Sequence, residues 1–467
     1  MKTNKPKTTT CILILTLSLI VSVRTQALEP QTLFNFQLRP DTNGVQPEAG
    51  LTLGPDGSFY GTTRDGGTNN SGTIFKVTPD GVLTFLFAFN GTNGAAPQGG
   101  LALGKDRNFY GTTTLGGSAG FGTVFRFSTN GVLTTLVSFN GTNGANPQCQ
   151  LVMDANGTFY GTAPEQGLGG FGTVFRITMN GVLTTLVAFN GDNGANPEDG
   201  LTVGADGNFY GTTANGGIKR LGTVFRITPG GALTTLFSFV NEGTFPLGGL
   251  VQGADGTLYG TTGFGSTNPD FDFGTIFKIA TNGVLTTLFE FHFTDGEEPS
   301  SKLIFGSDGN LYGTTGFGGS TTNDPVGNGL GTVFQITTNG AFSSLILFQG
   351  TNGSNPQGPL VLGNDGNLYG TTVQGGAGGG GTIFRIVPTA RFTSIALRPG
   401  GSVLITGTGP PSAAYRLWAS GDVTLPVASW TLLTNSAFAA DGTFSFTDVG
   451  AAAIMSARFY RVSIRIP

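Results

Sequence analysis

Cysteine and charged residues are what this 467-residue chain has least of. Only Cys11 and Cys149 occur, and Cys11 lies in a segment that we expect to be removed on export, so no internal disulfide is predicted. Charged residues make up 11% of the chain against the usual quarter or so, and the net charge is −4. No basic stripe or acidic block occurs, which argues against a nucleic-acid interface and a charged disordered tail. The fold must therefore be stable through packing alone.

Histidine is limited to one residue, His292. A histidine metal site or a Ser-His-Asp triad would have to be built around it, and its position near Asp295, Glu297 and Glu298 predicts a rim residue. Cys149 has no marked basic neighbour in sequence, and no P-loop motif occurs. We therefore predict no catalytic residue, no metal and no cofactor. A two-carboxylate glycosidase needs no histidine and stays open.

Long apolar runs are also missing, except near the N-terminus. Lys2, Lys5 and Lys7 precede an apolar stretch from Cys11 to Val23, and Thr25-Gln26-Ala27 approximates a small-x-small cleavage site. This pattern predicts a signal peptide over residues 1–27, with an uncleaved anchor as the alternative. The mature chain is then expected to lack a transmembrane segment and to be secreted or held at the cell surface.

Glycine, by contrast, is abundant, with 80 residues, and it marks a tandem repeat of about 50 residues. The tetrad Tyr-Gly-Thr-Thr begins at Tyr60, Tyr110, Tyr210, Tyr259, Tyr312 and Tyr369, and Tyr160 begins the variant Tyr-Gly-Thr-Ala. A Gly-Thr-Ile/Val-Phe motif follows each tetrad, with its glycine at Gly72, Gly122, Gly172, Gly222, Gly274, Gly331 and Gly381. No stretch has sustained helical periodicity, so a helical repeat is excluded.

Each repeat is predicted to form four short strands, a to d. In the second repeat these run from Leu101 to Leu103, Phe109 to Thr113, Thr123 to Phe127 and Val132 to Phe139. Apolar residues occupy both faces, as expected of a blade packed between neighbouring blades. Asp-Gly and Asn-Gly pairs between the strands predict tight type I′ hairpins, in which the aspartates cap their own turns rather than bind calcium. The repeated tyrosine is predicted to pack in the core with its hydroxyl bonded.

The strand count predicts a ring. Seven sets of strands a, b and c occur, but the last set ends near Ile386 without a clear strand d. An orphan strand d, Thr32-Leu33-Phe34-Asn35-Phe36, lies at the start of the mature chain. We expect it to complete the last blade, which would close an all-β, seven-bladed β-propeller over residues 31–388. The segment Phe392-Thr393-Ser394-Ile395 is a weaker rival for that strand and is assigned to the next domain.

The repeat unit Gly-Leu-x-x-Gly-x-Asp-Gly-x-Phe/Leu-Tyr-Gly-Thr-Thr, followed by Gly-Thr-Val-Phe-Arg-Ile and Gly-x-Leu-Thr-Thr-Leu, resembles the GloVer tandem repeat of bacterial exported, choice-of-anchor proteins. The blades are also similar to NHL-type propeller repeats. The resemblance covers residues 31–388 and implies a surface or secreted location. It implies no reaction, so it assigns no catalytic residue.

The long loops are the candidate binding surface. The b-to-c and d-to-a loops are expected to share one face of the ring, where binding usually resides on a rigid scaffold. After a shared proline, the d-to-a loops place amide and carboxylate groups around the predicted channel mouth: Glu48, Gln98, Gln148, Glu198 and Gln357. The two longest b-to-c loops carry aromatic, carboxylate and amide side chains suited to a carbohydrate: Phe264, Asp270, Phe271, Asp272, Phe317, Asn323 and Asp324. Ordinary turn formation and loop insertion would explain both sets as well.

A small β-sandwich-like module is predicted over residues 391–467, with Trp418 and Trp430 in its core. For the whole protein we expect a non-catalytic role in ligand binding or in surface structure and interaction, with a carbohydrate or another extracellular molecule as partner. The alternative is a carbohydrate-active hydrolase or lyase that uses loop carboxylates.

Overall fold

The computed structural model describes residues 30–38, 44–265, 273–319, 329–386, 391–398, 402–408, 414–420, 429–437, 439, 443–449 and 459–464. The chain divides into two compact units, one over Ala27–Pro388 and one that contains Thr389–Pro467. The larger unit consists of seven four-stranded antiparallel sheets, here numbered 1 to 7 in chain order of their strand a. This repetition of four-stranded sheets is a propeller-like, all-β fold, as predicted.

The strands are numbered β1 to β34 in chain order. Strand a of sheets 1 to 7 is β2 (Thr52–Leu53), β6 (Ala102–Leu103), β10 (Val152–Met153), β14 (Thr202–Val203), β18 (Val251–Gln252), β22 (Ile304–Phe305) and β26 (Val361–Leu362). Strand b is β3 (Phe59–Thr63), β7 (Phe109–Thr113), β11 (Phe159–Ala163), β15 (Phe209–Thr213), β19 (Leu258–Thr262), β23 (Leu311–Thr315) and β27 (Leu368–Thr372). Strand c is β4 (Thr73–Val77), β8 (Thr123–Phe127), β12 (Thr173–Ile177), β16 (Thr223–Ile227), β20 (Thr275–Ile279), β24 (Thr332–Ile336) and β28 (Gly379–Ile386). Strand d is β5 (Leu83–Ala88), β9 (Leu133–Ser138), β13 (Leu183–Ala188), β17 (Leu233–Ser238), β21 (Leu285–Glu290), β25 (Phe342–Leu347) and, in sheet 7, β1 (Gln31–Gln37).

The tight turns have a different geometry from the one predicted. In the turn between β2 and β3 the amide of Gly57 donates to the carbonyl of Gly54 over 3.1 Å, and Gly57 has a φ of +76°. Asp56 is not among the residues with positive φ, whereas a type I′ turn needs positive φ at both central residues. The type I′ prediction is therefore wrong. A three-residue loop with only the glycine left-handed explains the pattern, and Asp-Gly and Asn-Gly suit that loop equally well.

Apolar clusters join each sheet to the next. Seven clusters of buried side chains lie between successive sheets, and one of them joins sheet 7 to sheet 1. Aromatic pairs recur in them: the ring centroids of Tyr60 and Phe109 are 4.2 Å apart, where sheets 1 and 2 meet. Phe59 of sheet 1 and Tyr369 of sheet 7 make the corresponding contact at 4.1 Å. The seven sheets therefore form a cyclic series with the same packing at the last junction as at the others.

β1 completes sheet 7, as predicted. It pairs antiparallel with β28, with Thr32 opposite Phe384, and its register shifts between Thr32 and Phe34. The other strands d are bulged at the matching point of their pairing with strand c. Phe36 is fully buried against Phe75 of sheet 1, with ring centroids 5.5 Å apart. The first bulge and the buried phenylalanine show that β1 matches an ordinary strand d there, and a second register shift, between Asn35 and Gln37, sets β1 apart from the other strands d.

Hydroxyl groups add a second link between neighbouring sheets. In five of the seven sheets the second-last threonine of strand b donates to a backbone carbonyl at the start of the next sheet, as in the bond from Thr112 to Cys149 of 3.0 Å. Among the described residues, the equivalent hydroxyls of Thr62 and Thr261 are buried without a partner. The corresponding bond from Thr371 of sheet 7 reaches Ala49, which precedes β2, over 3.0 Å. A buried hydroxyl that lacks a partner would cost free energy, so these bonds also favour the cyclic arrangement.

The smaller unit contains two three-stranded sheets. One is β29 (Arg391–Leu397), β30 (Val403–Thr408) and β33 (Thr443–Asp448), and the other is β32 (Thr431–Ala437), β31 (Ala414–Ser420) and β34 (Phe459–Ile464). β29 pairs with β30, so the rival for the closing strand belongs to this unit. Tyr415 and Leu417 of β31 are buried, whereas Trp418 and Trp430 are half-buried. The tryptophans do not form the buried core as predicted, because alternation along β31 turns Trp418 away from the face that carries Tyr415 and Leu417.

Candidate functional site

The d-to-a loops converge on one cavity in the larger unit. Each loop ends in a proline, after which four residues lead into strand a at the edge of its sheet. The cavity has a volume of about 510 Å³, within the range of small-molecule sites. All five residues predicted for the channel mouth line it: Glu48, Gln98, Gln148, Glu198 and Gln357. The structure therefore brings together side chains that lie up to 309 positions apart in sequence (357 minus 48).

The b-to-c loops lie on the same face as the d-to-a loops. Isolated antiparallel bridges join the d-to-a loop that leads into a sheet to the b-to-c loop of the same sheet, as between Ala95 and Leu115 and between Ala145 and Glu165. Thr244 and Phe264 form the equivalent bridge, as do Glu297 and Phe317. These bridges fix the loops through backbone hydrogen bonds, and they agree with the sequence-based expectation of a single long-loop face.

Two amide–carboxylate pairs order the mouth of the cavity. Gln98 Nε2 donates to Glu48 Oε2 over 2.6 Å, and Gln148 donates in the same way to Glu198 of the next sheet. Glu48 also forms an ion pair of 3.0 Å with Arg64, which compensates its charge. Thr114 donates to Gln98 Oε1 over 2.7 Å. Glu48 is thus neutralised by a cation, whereas among the described residues Glu198 accepts its side-chain hydrogen bond from a neutral amide.

Glu198 is electrostatically unlike Glu48. Burial and the nearby carboxylate of Glu165 raise the pKa of Glu198 to about 7, against the weaker opposing effect of Gln148. Burial and the neighbouring Glu297 also raise the pKa of Glu298, which lines the same cavity. At neutral pH Glu198 is therefore partly protonated, so that it can both donate and accept hydrogen bonds.

Three lining residues depart from the repeat and were missed by the sequence analysis. Asp199 stands two positions after the shared proline, where the other repeats have Gly, Ala, Ser or Cys, and Gln150 and Lys302 stand three positions after it, where four repeats have glycine. The two Asp199 oxygens accept the amide hydrogens of Gly200 and Gly249, each over 2.5 Å. The sequence signal for these residues is their difference from the other repeats. The scaffold does not need a large polar side chain where other repeats have small residues.

These exceptional residues reach across sheets. Lys302 Nζ donates to the hydroxyl of Thr202, two sheets away, over 2.8 Å. Gln150 Nε2 donates to the carbonyl of Leu101 over 2.7 Å. Burial raises the pKa of Asp199 in spite of Lys302 and the two amides, and it lowers the pKa of Lys302 in spite of Asp199. The cavity therefore holds two opposite charges, on side chains that are half-buried.

The predicted b-to-c loop residues do not join this cavity as far as the structure describes them. Phe264 and Phe317 are half-buried, and neither lines it. Phe264 instead packs edge-on against Phe245, with ring centroids 6.1 Å apart. The remaining candidates of these loops lie outside the described residues: Asp270, Phe271, Asp272, Asn323 and Asp324.

The local contacts of the histidine, the cysteine and the turn aspartates can be compared with the sequence predictions. His292 is exposed and lies 3.3 Å from Asp295, as expected of a rim residue. Burial raises the pKa of the Cys149 thiol, which keeps it in its unreactive form. The turn aspartates cap their turns, as Asp106 does for Asn108 over 3.1 Å, and they accept the tyrosine hydroxyls, as from Tyr110 over 2.9 Å.

Within the described ranges, no group of three or more His, Cys, Asp or Glu side chains is arranged to hold a metal ion. In that part of the chain, no helix has the length and apolar character needed to cross a bilayer.

Comparison with known proteins gives one family match. A family model described as the Gloeobacter/Verrucomicrobia repeat matches residues 17–205, 154–324 and 200–398. No curated protein matches the chain.

Several solved structures are similar at low identity. A fungal alcohol oxidase of the AA5 family, in complex with copper, is 14% identical with a TM-score of 0.49 and covers 91% of this chain and 92% of its own. PorZ, a surface component of the type-IX secretion system of Porphyromonas gingivalis, is 12% identical with a TM-score of 0.47, over 93% of this chain and 61% of its own. A gluconolactonase from Xanthomonas campestris is 15% identical with a TM-score of 0.41, over 77% and 94%. Likeness at this level says nothing about activity.

Proposed function

This chain belongs to the Gloeobacter/Verrucomicrobia repeat family, and from that premise we propose that it is a non-catalytic, exported β-propeller that binds a small polar ligand in its central cavity. The proposed propeller has seven blades closed by β1 and carries a β-sandwich-like C-terminal module. The cyclic series of seven packed sheets supports that architecture.

One observation carries the binding role: the residue after the shared proline lines a single cavity of about 510 Å³ in all seven repeats, and in five of them it is a glutamate or a glutamine. Amides, carboxylates and one ammonium group line it, next to the aliphatic side chains of Leu103, Val152 and Met153. A cavity with a few convergent polar groups on a largely rigid scaffold is the usual form of a small-molecule site. Sugars match this mixture, because they have hydroxyl groups at the edge of a ring and C–H groups on its faces. We therefore propose a carbohydrate ligand.

The test replaces mouth residues by the residue that sheet 5 carries at the same position, Leu247. We expect Q98L and E198L to fold normally, since the scaffold already accepts leucine there, and to weaken ligand binding by about 10-fold or more through loss of hydrogen bonds. Isothermal titration against glycans that bind on a glycan array measures the effect.

The matched control is Val182→Ser, on a tight turn where Val182 is 64% exposed. It should leave affinity unchanged. Unaltered binding in Q98L and E198L would place the ligand elsewhere, and no binding by the mature protein across a broad glycan array would remove the carbohydrate.

A carbohydrate-active hydrolase or lyase is the second candidate function, and Glu198 is the observation that favours it. A carboxyl group with a pKa of about 7 suits a general acid at neutral pH. Incubation of bound glycans with the protein, followed by mass spectrometry, separates the two functions. Product formation that is lost in E198Q supports the enzyme, and intact glycan supports binding alone.

Export is the part of the proposal that concerns location. The basic and apolar pattern of residues 1–27 supports a cleaved signal. N-terminal sequencing of protein recovered from the medium or the cell surface should begin at Leu28, whereas a retained Met1 would indicate an uncleaved anchor.

A further inference from the structure

Two kinds of residue line the central cavity: residues that recur from repeat to repeat, and residues that occur in a single repeat. In a tandem repeat, side chains that the fold requires recur from sheet to sheet. Two positions after the shared proline, the chain has the small residues Ala49, Gly99, Cys149, Gly248, Ser301 and Gly358, but Asp199 in sheet 4. Three positions after it, the chain has Gly50, Gly100, Gly200, Gly249, Gln150 and Pro359, but Lys302 in sheet 6. Neither charge is needed to build a sheet, and both cost desolvation free energy.

We propose that Asp199 and Lys302 together bind two adjacent hydroxyl groups of a sugar ring, so that the ligand of the cavity is a vicinal diol. This inference rests on the proposed carbohydrate-binding function. It goes further by naming the two residues that select the ligand and the part of the ligand they select.

Asp199 is positioned to accept further hydrogen bonds. Its two oxygens each accept one backbone amide, from Gly200 and Gly249, which fixes the plane of the carboxylate. An ionised carboxylate has about four acceptor sites, so each oxygen can take one more donor. Gly249 is needed for this arrangement, because a Cβ at that position would lie 2.8 Å from Asp199 Oδ2.

Lys302 is positioned to donate. Its ammonium group has three hydrogens, and one of them is directed at the Thr202 hydroxyl over 2.8 Å. Thr202 in turn donates to the carbonyl of Leu250, so that its oxygen is held as an acceptor for the ammonium. The remaining two hydrogens can reach oxygen atoms in the cavity, which Lys302 lines.

Asp199 and Lys302 interact electrostatically, but among the described residues they do not form a direct ion pair. Each shifts the other's pKa by its charge, but burial is the larger influence on both. A bound diol would compensate both charges. One hydroxyl donates to Asp199 and the adjacent oxygen accepts from Lys302, so that each charge gains a charge-assisted hydrogen bond. A monovalent cation or anion would satisfy only one of the two groups.

The experiment restores the residue that other repeats carry at these positions. D199G and K302G recreate Gly248 and Gly249 of sheet 5, so we expect both variants to fold, with D199N as a second variant that keeps the side-chain shape. The probes are the methyl glycosides of glucose, galactose and mannose and their monodeoxy analogues. Titration calorimetry measures binding. R107G is the control, since it also restores a repeat glycine but lies in a tight turn outside the cavity.

We expect the wild type and R107G to bind at least one glycoside. D199G, D199N and K302G should each weaken it by about 10-fold or more, as for loss of a hydrogen bond to a charged group. One monodeoxy analogue should bind the wild type as weakly as the parent glycoside binds D199G. The affinity of that analogue should not fall further in D199G. Wild-type binding that all three variants retain would overturn the diol inference and leave the binding function standing. Failure of every glycoside to bind the wild type would overturn the carbohydrate function itself, and the inference with it.

Discussion

At the scale of single residues, repetition makes each exception informative. Glu48 and Glu198 occupy the same position after the shared proline and accept a hydrogen bond from a glutamine of an adjacent sheet. Among the described residues Glu48 forms an ion pair of 3.0 Å with Arg64, whereas Glu198 forms no ion pair. Burial, and after it the carboxylate of Glu165, raises the pKa of Glu198.

The first prediction concerns the pH dependence of stability through Glu198. Its pKa is about 7 in the folded protein, above the ordinary value of 4.5, so the folded state binds the extra proton. The stabilisation is complete below about pH 4.5 and is lost as the pH rises through 7. Compared with E198Q, the wild type should lose about 2 kcal/mol between pH 5 and 8, after allowance for water in the cavity.

Thermal unfolding of both proteins across this pH range measures the difference. Glu48, Asp199, Glu298 and Lys302 line the same cavity and are present in both proteins, so the comparison with E198Q isolates the change at Glu198. The control is Glu165→Gln, which removes the repulsive carboxylate and should move the transition to lower pH. Parallel curves for wild type and E198Q would show that Glu198 titrates normally.

At the scale of strands, the sequence predicted most of the fold because each strand has a repeated signature. Strands b and c were predicted with their observed bounds in the second repeat, since the Tyr-Gly-Thr-Thr and Gly-Thr-Val-Phe motifs mark both ends. The turn type was not predictable, because an Asn-Gly or Asp-Gly pair fits two hairpin geometries. Asp199 and Lys302 were not predicted, because the repeat pattern identifies the residues that the repeats share, whereas the cavity is specialised by residues that they do not share.

The second prediction concerns the pairing of strands b and c. Six sheets join these strands by a buried threonine pair, such as Thr113 and Thr123 with oxygens 2.8 Å apart. Sheet 3 has Ala163 opposite Thr173 instead. The variant A163T should restore the hydrogen bond and stabilise the protein by about 0.5–1.5 kcal/mol, measured by chemical unfolding.

Space for the new side chain follows from sheet 2. A Cβ at Gly94 would lie 2.6 Å from the Thr113 methyl group, so sheet 2 holds the threonine side chain against a close glycine. From the strand b Cβ itself, a Cβ at Gly144 would lie 2.7 Å (Ala163) and one at Gly44 of sheet 1 2.9 Å (Thr63), so sheet 3 is spaced much like a sheet that carries threonine. Thr113→Ala is the mirror variant and should lower stability by a similar amount. A destabilised A163T would indicate that sheet 3 is packed more tightly than sheet 2.

At the scale of the whole molecule, the decisive feature is that the two ends of the larger unit share one sheet. β1 and β28 are separated by more than 300 residues and pair like any strands c and d. Such a junction replaces an exposed sheet edge by a buried one, and it also ties the first sheet to the last. The identity of this strand with an ordinary strand d means that its place in the chain should be interchangeable.

The third prediction moves that strand. A permuted chain begins at Gly44 and carries Pro30–Gln37 after Ile386, joined by the turn sequence Ser128–Val132 of sheet 2, before residues 387–467. Because the turn copies a natural connection between strands c and d, we expect a folded monomer with a Tm within a few degrees of the wild type and with unchanged ligand affinity.

Deleting residues 30–43 without replacement should expose Phe75 and Ile383, which are now fully buried, and lower the Tm markedly. If the permuted chain behaves like the deletion, the strand needs its N-terminal origin and the ring is not closed by pairing alone. If both fold like the wild type, the cavity does not depend on closure.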